Sequence, residues 1–413
     1  MNTNIKKIAI TGPFADVNFG DYAMLVNNIY DLNINDITLF SYDNDFLNTI
    51  KEDYLSDYNI EIVDVKLREE DNKLIKEDYT LTPIDILLMI TNYDDLYAEI
   101  KNIDVLIVNG GGYFNGLWSM PHRITRLIKI IAPMLIANQL NKKIIFTGNG
   151  YGPFEKDKDF FASIFNVLNN ATFGSRDNLY SPMWMRQAGV QDKQIKYIPD
   201  DLFLINDEIL KQRVSTIIKD NNYIVMETYL PLDYIKSNIE QFKSFSCKMY
   251  ERYGLSIVFL PLNLEHGGMQ QAQYLNEILD NYEFVDISEK GYLPIQDAVE
   301  IIRNAKLVVS SRYHALVVAL STETPTVSVL KDVMGDKRYY YNKNCGMLRL
   351  ALNSIPFDER YYLRLDYLET LDFIANNFST IVEHQKKNYN SQYISNKENL
   401  KKLRKEYLNE IKR

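Results

Sequence analysis

The chain has 413 residues, with 46 Lys and Arg against 55 Asp and Glu and a formal net charge of −9. Hydrophobic residues make up 46% and charged residues 24%, which excludes a disordered or fibrous chain. A net-acidic chain is also a poor general binder of nucleic acid, so any anion site must be local. At roughly 100–200 residues per domain the length suggests two or three domains, each able to bury a core without disulfides or metals.

The predicted elements alternate along the chain. Short apolar runs read as strands at Lys7 to Thr11, Asp36 to Ser41, Ile60 to Val65, Asp104 to Val108 and Lys143 to Thr147. They are continuous rather than alternating, as strands covered on both faces should be. Turn signals follow several of them, and helical patterns such as Arg123 to Leu140 lie between them. Ile195 to Pro199 closes this series, and a second opens at Tyr223 to Glu227. Leu255 to Leu260, Phe284 to Ile287, Lys306 to Ser310 and Thr326 to Leu330 continue it. Alternation of strand and helix predicts α/β architecture, two Rossmann-like doubly wound lobes with an interlobe cleft. The expected domains are 1–205, 206–380 and a C-terminal helix over 381–413. In such sheets ligands bind beyond the carboxyl ends of the strands.

Other classes drop out. Met1 to Lys7 lacks the apolar core of a signal peptide. The most apolar helix candidate, Leu127 to Leu140, is interrupted by Lys129, Pro133 and Asn138 and falls short of the ~20 apolar residues of a membrane span. Cys247 and Cys345 are the only cysteines, so a zinc ribbon or dithiol centre is excluded, and such sparse cysteine fits a cytoplasmic protein. No His, Asp or Glu cluster has metal-ligand spacing. The segment Gln385 to Arg413 carries nine Lys and Arg against three Asp and Glu. Leu400, Leu403, Tyr407 and Ile411 fall there at helical spacing. The apolar stripe is expected to pack on the body and the Lys/Arg face to stay in solvent. The second reading is contact with an anionic membrane surface.

Three segments could carry chemistry. Ser310-Ser311-Arg312-Tyr313-His314-Ala315-Leu316 joins a strand to an apolar helix. It places Arg312 and His314 where free N–H groups and the helix dipole favour anions. Arg supplies a planar fork for carboxylate or phosphate, and His exchanges a proton near neutral pH. The bland alternative pairs Arg312 with an acid and makes His314 a helix cap. Asn18-Phe19-Gly20-Asp21-Tyr22-Ala23 is a glycine-containing loop into a helix. There Asp21 either accepts a proton or caps the helix. Asn109-Gly110-Gly111-Gly112 follows a buried-type strand, and its glycines admit either a ligand or a tight turn. Gly148 to Pro153 is a weaker loop of the same kind. Arg176 either faces the cleft or pairs with Asp177, and His266 lies in a glycine-rich loop.

In order and spacing these segments resemble the polysaccharide pyruvyl transferase family over most of residues 5–350. The resemblance rests on Asn18-x-Gly20-Asp21-x-Ala23, Asp104 to Gly112, Gly148 to Pro153, and Ser175-Arg176 with Gly189. Asp201 and Ser311-Arg312-x-His314-Ala315 with Pro325 complete it. It implies a GT-B-like fold and transfer of a pyruvyl group from phosphoenolpyruvate to two hydroxyls of a sugar. Phosphoenolpyruvate is then a co-substrate, no cofactor or metal is needed, and the expected acceptor is a sugar of a cell-surface or extracellular polysaccharide or of its lipid- or nucleotide-linked precursor. By position Arg312 and His314 match the family's phosphoenolpyruvate pair. His314 is assigned as general acid and Asp21 as base from the opposite lobe. Asn18, Gly20, Gly110, Gly111, Gly112, Arg176, Ser311 and Lys337 make up the expected substrate-binding set. There is one departure: where the family often ends a strand in Arg, this chain reads Val225-Met226-Glu227-Thr228. Two rivals stand beside this reading. One is a sugar-nucleotide glycosyltransferase on the same architecture, with Glu227 as its ribose-binding acid. The other is a non-catalytic binding subunit.

Overall fold

Among the described residues most strands form where aliphatic and β-branched runs can be covered on both faces, and the strands pair in parallel. The computed structural model describes residues 7–15, 17–68, 81–212, 214, 218, 222–264, 268–333 and 335–412. Two compact units divide the chain. The first comprises Met1–Asp16, Asp21–Asp201 and Leu400–Arg413, and the second Val17–Gly20 and Leu202–Asn399.

Among the described residues the first unit holds nine strands: β1 Lys7–Thr11, β2 Asp36–Ser41, β3 Asn59–Asp64, β4 Val105–Val108, β5 Gly111–Phe114, β6 Lys143–Phe146, β7 Asn149–Tyr151, β8 Ala171–Ser175 and β9 Ile195–Tyr197. Their order is β3-β2-β1-β4-β6-β8-β7-β5, with β9 paired to β8. Its core joins the helix Ile124–Gln139 to aromatics that include Phe114, Phe146, Phe165 and Phe173. The second unit holds β10 Tyr223–Met226, β11 Ser256–Phe259, β12 Tyr282–Phe284, β13 Val308–Ser310, β14 Thr326–Val329 and β15 Leu363–Arg364. Their order is β12-β11-β10-β13-β14-β15. The helix Tyr367–Asn388 packs Leu371, Ile374, Phe378 and Ile381 into the core of this unit.

β1 and β2 lie where the apolar runs predict them. Two of the differences have a physical cause. Gly111 and Gly112, expected in a loop, belong to β5, and Asn149 to Tyr151 form β7. Both strands are short and rich in glycine, so neither has the apolar run that marks a strand. β12 spans Tyr282–Phe284, so of the expected run Phe284 to Ile287 only Phe284 lies in the strand. Among the described residues no helix is long and apolar enough to cross a membrane.

The final helix, Ser391–Ile411, contributes to both units. Leu400, Tyr407 and Ile411 are buried, whereas Leu403 is exposed. Lys401, Lys402 and Lys405 face solvent as expected. Arg404 does not: it is buried, and its guanidinium meets Asp201 at 2.6 Å and Asp31 at 2.9 Å.

Candidate functional site

In the second unit, β13 ends at Ser310 and the helix Tyr313–Ser321 begins three residues later. The turn between them is built on Glu227, which directly follows the neighbouring strand β10. Glu227 is fully buried. Its Oε2 accepts from Ser310 Oγ at 2.7 Å and from the Ser311 N–H at 3.0 Å, and its Oε1 from Arg312 Nε at 3.4 Å. Ser310 Oγ also accepts from the Arg312 N–H at 2.8 Å. Burial pushes the Glu227 carboxyl above its ordinary range, opposed by Arg312 and the two serines. The Arg312 guanidinium lies 4.1 Å from the centroid of the Tyr229 ring, and Lys331 Nζ 3.1 Å from the same centroid. Two cations therefore gather on one ring beyond the carboxyl ends of β10, β13 and β14. Replacing Glu227 by Ala leaves the Ser311 N–H buried without its acceptor and the Ser310 hydroxyl with only the Arg312 carbonyl at 3.4 Å. The expected loss is about 1–3 kcal/mol in chemical denaturation, and equal stability of wild type and variant would contradict this role.

His314 is the second residue of the Tyr313–Ser321 helix, edge-on to the Tyr313 ring at 5.1 Å. It also packs on Gly20, where an added Cβ would fall within 3.0 Å of its ring atoms. The Val17–Gly20 segment belongs to this same unit. Asn18 forms an antiparallel bridge with Asn263, and the Phe19 N–H donates to the Leu262 carbonyl at 3.0 Å. The structure thus places Ser311 and Arg312 in one turn, and His314 against Gly20. Lys337 precedes the helix Arg338–Leu352 and donates from Nζ to the Leu365 carbonyl at 2.7 Å. Sequence reasoning missed Tyr229 and Lys331. Their signal was position: each stands within three residues after a strand end.

The first unit places the other candidates. Asp21 lies in the first turn of the helix Phe19–Leu32 and is largely buried. Burial, then the Asp21 charge, then that of Asp201 push the Tyr113 hydroxyl well above its ordinary pKa. That hydroxyl donates to the Asn109 carbonyl at 2.6 Å. A Cβ on Gly110 would collide with Asp201 Oδ2, and one on Gly111 (φ +152°) would press on the Tyr113 ring. These two glycines make room for protein side chains. The Gly112 carbonyl accepts from Asn115 Nδ2 at 2.7 Å. Arg176 is buried and pairs with Asp200 at 3.0 Å rather than with Asp177. Asp177 instead accepts the Leu179, Tyr180 and Ser181 N–H groups at the start of the helix Tyr180–Gln187. His266 lies outside the described residues. Among the described residues no group of three His, Cys, Asp or Glu side chains could hold a metal ion.

The family model for polysaccharide pyruvyl transferase matches residues 18–330. No curated protein matches the sequence. Among solved structures, a UDP-GlcNAc 2-epimerase from Neisseria meningitidis bound to UDP-GlcNAc is similar at 11% identity. The match covers 94% of each chain with a TM-score of 0.56. The S. aureus MnaA–UDP complex matches at 11% identity over 98% of this chain and 97% of that one, TM-score 0.57. Spinosyn rhamnosyltransferase SpnG, complexed with spinosyn aglycone, matches at 10% identity over 99% and 100%, TM-score 0.52. At these identities the likeness shows the fold alone, which is GT-B-like.

Proposed function

We propose, because the chain belongs to the polysaccharide pyruvyl transferase family, that this transferase moves a pyruvyl group from phosphoenolpyruvate to two hydroxyls of a sugar. The observation that carries the choice of donor is the gathering of Arg312 and Lys331 on Tyr229, next to the start of the Tyr313–Ser321 helix. Phosphoenolpyruvate has a carboxylate and a phosphate on one small frame, and it needs converging cations and N–H donors. Lys331 supplies a cation near the position where Glu227 removes one.

Ketal formation adds a proton to the donor's methylene carbon, and the first sugar hydroxyl attacks the neighbouring carbon while losing its own proton. Phosphate then departs with its bridging oxygen. The second hydroxyl closes the ring, and its proton leaves to the phosphate or solvent. In this scheme His314 delivers the first proton and Asp21, one peptide bond beyond Gly20, takes up a hydroxyl proton. The acceptor is a sugar on a lipid or nucleotide carrier. The exposed Lys401, Lys402 and Lys405 fit contact with an anionic membrane surface when the carrier is a lipid.

The glycosyltransferase reading asks Glu227 to hold a ribose diol. Its buried carboxylate is already engaged by Ser310, Ser311 and Arg312, which disfavours that role. Incubation with phosphoenolpyruvate and a panel of nucleotide- and lipid-linked hexoses tests the proposal. The expected product is inorganic phosphate together with an acceptor heavier by pyruvate less one water. Sugar transfer from a nucleotide sugar, with phosphoenolpyruvate untouched, would overturn it. Arg312→Lys keeps the charge but loses the fork, so the donor KM should rise about tenfold with kcat little changed. An unchanged donor KM would remove Arg312 from donor binding.

A further inference from the structure

We propose that Gly20 is a positioning residue for His314, and that the Val17–Gly20 segment is a fixed strap which sets the imidazole in place. This rests on the catalytic role proposed for His314. Gly20 is the second residue of the helix Phe19–Leu32, a position where alanine is ordinarily favoured over glycine. The side chain of His314 explains the glycine. A Cβ at residue 20 would sit within 3.0 Å of Nδ1, Cε1 and Cγ of that ring, closer than real side-chain contacts allow.

The backbone on the other side of this contact is held. Phe19 donates its N–H to the Leu262 carbonyl at 3.0 Å, and Asn18 bridges to Asn263. All of these residues lie in the second unit. When a methyl group is added at residue 20, the strap cannot easily retreat, whereas the imidazole can turn about its side-chain torsions. The ring therefore moves. A proton donor displaced by about 1 Å can lose 10²-fold in rate, while the donor anion, held by other groups, binds as before. The missing Cβ at residue 20 thus determines where the imidazole stands.

The test uses Gly20→Ala, with histidine ring signals followed by NMR and the His314 signal identified by its loss in His314→Gln. Gly20→Ala should shift the His314 signal and leave that of His384 in place. It should lower kcat by about 10–10²-fold with a near-normal donor KM. Melting temperatures provide an arm independent of activity. Gly20→Ala should lower Tm in wild type and raise it in a His314→Ala background, where the ring no longer fills the space. An unmoved His314 signal, or equal losses of Tm in both backgrounds, would overturn the strap. A shifted signal combined with normal kcat in His314→Gln would instead sink the catalytic reading and leave the packing claim standing.

Discussion

His314→Gln should lower kcat by on the order of 10²-fold or more and leave the donor KM nearly unchanged, as expected of a group that moves a proton in the transition state. Glutamine keeps hydrogen-bonding capacity and approximate bulk but cannot deliver a proton near neutral pH. The competing account, a helix cap, predicts a lower Tm with kcat of the folded fraction intact. The local geometry already argues against capping. The N-cap residue is Arg312, it makes no side-chain cap bond, and His314 lies one residue inside the helix. The decisive quantity is kcat per folded enzyme. A value within about threefold of wild type would remove His314 from the chemistry, because proton-transfer groups contribute far more than that.

Arg404→Met should be the most damaging single substitution in the C-terminal helix. Its guanidinium pairs with Asp201 and Asp31 and donates to Asn28 Oδ1 at 2.7 Å. Burial opposes its charge, but the two carboxylates outweigh burial and raise its pKa. Asp201 also accepts from Thr147 Oγ1 at 2.6 Å, Asn28 Nδ2 at 2.8 Å and the Gly148 N–H at 3.1 Å. Removing the arginine leaves a buried carboxylate without its counter-charge, a loss of about 3–5 kcal/mol. At about 2–4 °C per kcal/mol for a unit of this size, Tm should fall by roughly 6–20 °C. Lys401→Met, on the exposed face, should stay within about 0.5 kcal/mol of wild type. Equal effects of the two substitutions would show that the buried network contributes nothing net. A partial recovery of Tm in Arg404→Met with Asp201→Asn would identify the orphaned carboxylate as the cause.

What was legible in the sequence followed from local pattern. Continuous apolar runs mark β1, β2 and most strands of the second sheet, because strands covered on both faces need them. The Ser310 to Leu316 segment reads as a strand-to-helix turn because polar residues separate two apolar runs, and the structure has that turn. The features that escaped depend on distant partners. Nothing near Gly110 announces that Asp201 will fill the space above it, or that Arg176 will choose Asp200 over its neighbour Asp177. Glu227 reads locally as a lost cation, yet it is the carboxylate on which the Ser311-Arg312 turn is built. Arg404 had a visible signal that charge obscured. Leu400, Arg404, Tyr407 and Ile411 share one helical stripe, so the arginine sits on the buried face while Leu403 lies off it.

Calorimetric titration of phosphoenolpyruvate into the protein shows whether the turn at Arg312 recognises this donor. Wild type should bind phosphoenolpyruvate, and Arg312→Ala, titrated at a temperature where it is still folded because the buried Glu227 loses its counter-charge, should lose that binding. Absence of phosphoenolpyruvate binding, with a UDP-sugar binding instead in a manner abolished by Arg312→Ala, would rule out phosphoenolpyruvate as the donor.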